Sequence, residues 1–166
     1  MAVIFWGRQA QVRMHVVIST RSTATDSQFP FTYPSYIGID INPECKQFEK
    51  EGVRVVIGDQ GDPAFWKQFT LDFPEELDIF IDDGGHTMKQ QAVTFESMFW
   101  SIRDGGIYLC EDLHTSYWKE YEGGYLKSNS MIEKSKTLID TINAWHSKEA
   151  GLQVRSQRYV CIREGV

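Results

Sequence analysis

From Tyr36 onward, short apolar runs alternate with stretches of helical spacing, separated by Asn-Pro, Asp-Pro, Gly-Asp and Gly-Gly punctuation. Tyr36 to Ile41 predicts a strand. Asn42-Pro43 then supplies an N-cap and a first-turn proline, so a short helix is expected to about Lys50. The β-branched run from Val53 to Ile57 predicts a second strand, ending in Gly58-Asp59-Gln60, and Asp62-Pro63 opens another short helix. Leu77 to Ile81 predicts a third strand. Thr87 and Gln90 form a capping box for a helix on which Ala92, Phe95, Phe99 and Ile102 keep helical spacing until Asp104-Gly105-Gly106 ends it. Gly106 to Cys110 follows as a fourth strand. Ser130 and Glu133 make a second capping box, for a helix carrying Ile132, Leu138, Ile139, Ile142 and Trp145, and Arg158 to Ile162 reads as a last strand. This alternation predicts an α/β domain of parallel strands with crossover helices.

The first 35 residues read differently. Gln11 to Ile18 fits a strand, with Met14 to Thr20 the segment best placed to open the sheet. Ser19 to Pro34 is rich in Ser, Thr and Pro without a period, and no glycine occurs between Gly7 and Gly38. We therefore expect one domain, with residues 1–35 as a divergent N-terminal segment and 36–166 as the core. A length of 166 residues and 42% hydrophobic content suit one buried core and leave little room for two.

Charge and cysteine usage narrow the function. A net charge of −6 argues against a protein that tracks nucleic-acid phosphates, and points to a small-molecule partner. Cys45, Cys110 and Cys161 form no CxxC pair and suit a reducing, cytoplasmic setting. The apolar start, Met1 to Trp6, stops at Gly7-Arg8, too short for a signal peptide or a membrane span. No membrane partner is expected, and assembly into a homo-oligomer stays open.

In an open parallel sheet, ligands bind outside the carboxyl ends of the strands. Here those positions are acidic: Asp40, Asp59, Asp82 with Asp83, and Glu111 with Asp112. Crowded carboxylates repel unless a cation or hydrogen-bond donors relieve them. Oxygen ligands favour magnesium, manganese or calcium over zinc, with Asp83, Glu111 and Asp112 as the candidate ligands. The competing reading is that one Asp of each pair caps the turn that follows. His86, just after Gly84-Gly85, is a candidate general base. His114 reads as a hydrogen-bonding residue within its loop. Tyr117, Trp118 and Tyr121 fit either packing or the lining of a flat or sugar-like acceptor.

The succession Gly38-Ile-Asp40-Ile, Gly58-Asp59-Gln60, Ile81-Asp-Asp-Gly-Gly-His86 and Glu111-Asp-Leu-His-Thr-Ser-Tyr-Trp118 resembles the metal-dependent S-adenosylmethionine O-methyltransferases that act on sugar hydroxyls of macrolides and related natural products. The likeness runs from about residue 36 to 146. It implies a Rossmann-like methyltransferase sheet with helices on both faces. It also implies S-adenosylmethionine and Mg2+ as cofactors, and a small-molecule hydroxyl as acceptor. By position, Asp40 would hold the cofactor ribose, Asp59 and Gln60 would lie near the adenine, and Asp82 would join the cofactor-binding set. Asp83, Glu111 and Asp112 match the family's magnesium ligands and His86 its base. The family pattern of a first strand followed by a Gly-rich loop is missing, because Arg21 to Phe31 holds no glycine. A divergent or truncated start follows. Two alternatives remain: a non-catalytic relative that keeps the metal site, and a metal-dependent glycosyltransferase using Asp82-Asp83 on a nucleotide-sugar diphosphate.

Overall fold

The computed structural model describes residues 15–19, 35–74, 76–144, 148 and 160–162. Its strands are β1 (His15–Ser19), β2 (Ser35–Asp40), β3 (Val53–Ile57), β4 (Leu77–Asp82), β5 (Ile102–Cys110) and β6 (Val160–Ile162). Three α-helices are described, α1 (Pro63–Asp72), α2 (Met88–Met98) and α3 (Met131–Asn143). The sheet order is β3-β2-β1-β4-β5-β6. Pairs β2–β3, β4–β5 and β5–β6 are parallel, as the alternating pattern required.

Strand β1 fills the central slot in reverse. It runs antiparallel to both neighbours, with His15 opposite Ile39 and Ser19 opposite Ser35 on one side, and Val16 opposite Ile81 on the other. Chain chemistry accounts for the direction. A parallel link between β1 and β2 needs a crossover of a dozen residues or more, usually helical. The intervening sequence is Ser-, Thr- and Pro-rich and lacks a helical period. The C-terminal end of β1 therefore lies at the edge of the sheet away from Asp40 and Asp82.

Helix starts follow the sequence signals. Asn42 accepts from the Glu44 amide at the head of a 3-10 turn over Pro43–Phe48. Asp62 caps α1 with Pro63 in its first turn, and Thr87 with Gln90 closes a full capping box on α2. Ser130 accepts from the Glu133 amide at the start of α3.

Two expected segments end differently. The helical spacing through Ile102 breaks earlier: α2 stops at Met98, Phe99–Ser101 tightens to a 3-10 turn, and Ile102 already starts β5. Asp104-Gly105-Gly106 is thus not a helix stop but a bulge within the strand. The register against β4 jumps there from Leu77–Ile102 to Ile79–Ile107. Gly105 sits at φ +78°, a backbone that glycine adopts without strain. On α3, Ile139 and Ile142 are exposed, so its buried stripe is narrower than the apolar spacing implied. Trp145 lies outside the described residues.

One core holds the helices to the sheet. Ile37, Ile39, Phe80 and Tyr108 point from the strands to Trp66 and Phe69 of α1, Phe95 and Met98 of α2, and Met131 of α3. The Phe80 ring stacks on Tyr108 with centroids 5.1 Å apart and meets Trp66 at 5.9 Å. All three described α-helices share this face. On the other face, Ile79, Ile81 and Leu109 are part-buried and Ile107 is exposed, so the described residues show the expected helix layer on one side only.

Removal of the central ring tests this packing. Phe80→Ala is expected to cost about 3–5 kcal/mol, the usual range for deleting a buried aromatic, read as a lowered midpoint in urea unfolding.

Candidate metal and cofactor site

The carboxyl edge of β4 and β5 brings the two acidic motifs together. The Glu111 amide donates to the Asp82 carbonyl at 2.9 Å, carrying the ladder one step past β5, so Asp83 and Asp112 leave the sheet side by side. Both loops then turn through a left-handed residue, His86 at φ +57° and Asp112 at φ +53°. His and Asp tolerate that region better than most residues, yet its use beside a cluster of charged groups is strain spent on aim. Thr115 locks the two turns together. Its hydroxyl lies 3.0 Å from the His86 carbonyl and 2.8 Å from the Asp112 carbonyl. Gly123 lets a neighbouring turn close over this corner: a Cβ there would sit 2.5 Å from the Thr115 carbonyl.

Three side chains converge as a result. One ligand atom each from Asp83, His86 and Asp112 lies within 4.8 Å of the others. His86 Nε2 is 3.2 Å from Asp112 Oδ2 and 3.6 Å from Asp83 Oδ1. The imidazole is buried, with 1% of its side chain exposed, whereas Asp83 keeps 45% and Asp112 31%. A buried nitrogen thus faces two carboxylates open to solvent. A hard cation there would relieve the repulsion between the acids.

Glu111, expected as a third metal ligand beside Asp83 and Asp112, is not among the groups that meet within that radius. Successive side chains at a strand end point to opposite sides, so consecutive acids separate there. Its carbonyl is held by Gln91 Nε2 at 3.1 Å, from the buried face of α2.

Asp82 departs from the expected cofactor contact. It is fully buried beneath the site, and its oxygens receive Gln60 Nε2 and the Tyr108 hydroxyl, each at 3.1 Å, with the Cys110 thiol at 3.9 Å. Burial, reinforced by this carboxylate, pushes the Tyr108 phenol and the Cys110 thiol well up, so both stay protonated as donors. Gln60 departs likewise. It is 4% exposed, its amide is committed to Asp82, Thr94 and the Gly85 N–H, and its carbonyl accepts from the Trp66 indole at 2.8 Å. Neither side chain is presented to a ligand. In both cases the alternation at a strand end or its turn sends the polar group into the helix-covered core.

Asp40 and Asp59 differ from these. Asp40 is 6% exposed at the end of β2; its Oδ1 accepts from the Asn42 amide at 2.7 Å, and among the described residues no donor reaches Oδ2 in hydrogen-bonding geometry. The nearby Cys45 thiol is pushed up to about 11 by its burial and by the charge on Asp40. Asp59 is exposed and accepts from the Gly61 amide at 2.7 Å. Beyond the acids, His114 stacks edge-on against Trp118 at 4.6 Å, and Trp118 lies 5.9 Å from Tyr121. Trp118 is about half exposed, and the group adjoins the corner through His114, whose Nδ1 lies 3.9 Å from Asp112 Oδ1.

Thr115, Gln91, Thr94 and Tyr108 escaped the sequence reading. A signal existed for two of them. Gln91 and Thr94 lie on the same turn of α2 as Met88, Phe95 and Met98, polar residues inside an apolar stripe, which asks for buried partners.

Against known proteins, the chain is 32% identical over 127 residues to mycinamicin VI 2''-O-methyltransferase from Micromonospora griseorubida, covering 74% of this chain and 31% of that protein. It is 38% identical over 88 residues to 8-demethyl-8-alpha-L-rhamnosyl tetracenomycin-C 2'-O-methyltransferase from Streptomyces olivaceus, covering 53% of this chain and 23% of that one. Among solved structures it matches MycE methyltransferase of the mycinamycin pathway in complex with Mg and SAH, with a TM-score of 0.65 and 27% identity over 73% of this chain and 32% of that chain. The chain is thus similar to part of the macrolide and sugar O-methyltransferases. Its sheet is the Rossmann-like methyltransferase sheet of these relatives. No family model matches the chain. The chain spans less than a third of the length of these O-methyltransferases. No helix among its described residues is long and apolar enough to cross a membrane.

Two measurements probe the corner. Thr115→Val removes the hydroxyl partner of the buried His86 carbonyl and is expected to destabilise the fold by about 1–3 kcal/mol, seen as a lower unfolding midpoint. Cys45, protonated and buried, is expected to resist alkylation at pH 8 in the folded protein and to react once urea unfolds it, followed by peptide mass spectrometry.

Proposed function

We propose that this protein is an S-adenosylmethionine-dependent, Mg2+-assisted O-methyltransferase acting on a sugar-like hydroxyl of a small molecule, in the cytoplasm. The observation that carries the reading is the meeting of Asp83, His86 and Asp112 at the carboxyl edge of the sheet. Relatives named as sugar O-methyltransferases, and a MycE structure with Mg, SAH and mycinamycin VI, support the same chemistry. The free, buried thiols of Cys45 and Cys110 suit a reducing compartment.

The donor set fits a hard cation: Asp83 and Asp112 supply oxygens that solvent can reach. When bound, such a cation would act as a Lewis acid and lower the pKa of a hydroxyl beside it. His86 Nε2 faces the two carboxylates, which is where an acceptor hydroxyl must sit for its proton to pass to the imidazole. S-adenosylmethionine would supply the methyl group, its sulfonium S–C bond breaking as the acceptor oxygen forms the new O–C bond. Trp118 and Tyr121 border the approach and offer flat faces to a sugar ring.

The cofactor half fits in part. The buried, open Oδ2 of Asp40 is the acceptor that a ribose hydroxyl needs, and Asp59 stands exposed one strand away on the adenine side. With β1 reversed, however, its C-terminal residue Ser19 pairs with Ser35, at the end of the sheet opposite Asp40 and Asp82. That observation favours, as a second reading, a relative that keeps the metal site without transferring methyl groups.

Calorimetric titration separates the two. The active reading expects Mn2+ or Mg2+ to bind, S-adenosylmethionine to bind in its presence, and Asp83→Asn with Asp112→Asn to weaken the metal by tenfold or more, about 1.4 kcal/mol at least. Metal binding with no heat from millimolar S-adenosylmethionine would sink the activity and leave the second reading standing.

A further inference from the structure

We propose that Gln60 is the positioning residue of the metal loop, the pin that holds the backbone between Asp83 and His86 in register with the rest of the site. The inference rests on the metal reading above but concerns a residue outside the ligand set.

Gly84 and Gly85 separate the two converging groups, and a Gly-Gly link has more backbone freedom to lose than any other pair. Left to itself, such a loop would not hold Asp83 and His86 in one arrangement. Gln60 restrains it from outside. Its Oε1 accepts from the Gly85 amide at 2.7 Å, one residue before His86. Its Nε2 donates to Asp82 Oδ1 and to Thr94 Oγ1, both at 3.1 Å. These partners fix the amide's orientation: the Gly85 N–H requires the oxygen, and the Asp82 carboxylate requires the nitrogen.

No other residue type satisfies both ends at once. A carboxylate in its place would face Asp82, a like charge in a buried setting, and an apolar side chain would leave the Gly85 amide and the Asp82 oxygen without this partner. Gln60 also belongs to the turn after β3, directly beside Asp59. The metal loop is thereby tied to the turn on the side where the adenine is proposed to lie, and the two halves of the site move together.

The test uses amide hydrogen exchange in the metal-free protein together with Mn2+ titration. Gln60→Met keeps the length and removes the side-chain bonds, while Thr94→Val removes two bonds to Gln60, one from Nε2 and one to its backbone carbonyl, and none to the loop. We expect Gln60→Met to speed exchange at residues 84–86 by about fivefold to tenfold, the loss of one hydrogen bond, and to raise the Mn2+ dissociation constant by a similar factor. Thr94→Val is expected to leave both within about twofold at a comparable loss of thermal stability, a pattern that general loosening of the core would not produce. Gln60→Asn keeps a polar amide but is one methylene too short to span Asp82 and Gly85. It should act in the same direction and guards against a misfolded Met variant. Unchanged loop exchange in both Gln60 variants, or equal effects from Thr94→Val, would overturn the proposal. Absence of Mn2+ binding in the unaltered protein would instead remove the metal assignment, and the exchange data would still judge Gln60.

Discussion

A carboxylate cut off from water has to be surrounded by donors, and Asp82 gathers its own from three directions: an amide from the turn after β3, and a phenol and a thiol from β5. Burying a charge this way is expensive unless each lone pair is met, so the site beneath the metal corner tolerates few arrangements. Because the donors come from separate strands, satisfying Asp82 also fixes how the strand ends stand relative to one another. The exposed acids above inherit that order. Asp83 follows Asp82 in the chain, and the Glu111 amide that bonds the Asp82 carbonyl precedes Asp112.

The same logic separates two kinds of acidic residue that look alike in the sequence. Asp82 and Asp83 are neighbours, yet one closes a buried network and the other faces solvent with 45% of its side chain exposed. The extended backbone alternates sides, so a pair of acids at a strand end divides naturally into a structural member and a chemical one. Glu111 and Asp112 divide by a related route, with the left-handed turn at Asp112 swinging its carboxylate toward His86.

Much of the fold was legible before any coordinates. The caps at Asn42, Asp62, Thr87 and Ser130 mark helix starts because a side-chain oxygen there must answer an orphan amide, a rule that acts locally. The strands Val53–Ile57 and Leu77–Asp82 show as β-branched or apolar runs for the same local reason. What lay beyond reach depends on distant partners. The direction of β1 follows from pairing across the sheet, the bulge at Gly105 from register against β4, and the inward turn of Gln60 from a Gly85 amide 25 positions away. In the site, three of the residues that the motifs singled out, Asp83, His86 and Asp112, meet at one corner. Which of its polar side chains face outward is a matter of packing, and spacing alone does not carry it.

Strand β1 spans five residues, and it alone joins β2 to β4 in the described sheet. Asp40 stands on one side of it, with Asp83 and Asp112 on the other. The distance between them is therefore a mechanical property of that short ribbon. A change in its twist or pairing would therefore be felt on both sides at once, resisted by the single core and by the Gln60 bonds that also cross this line.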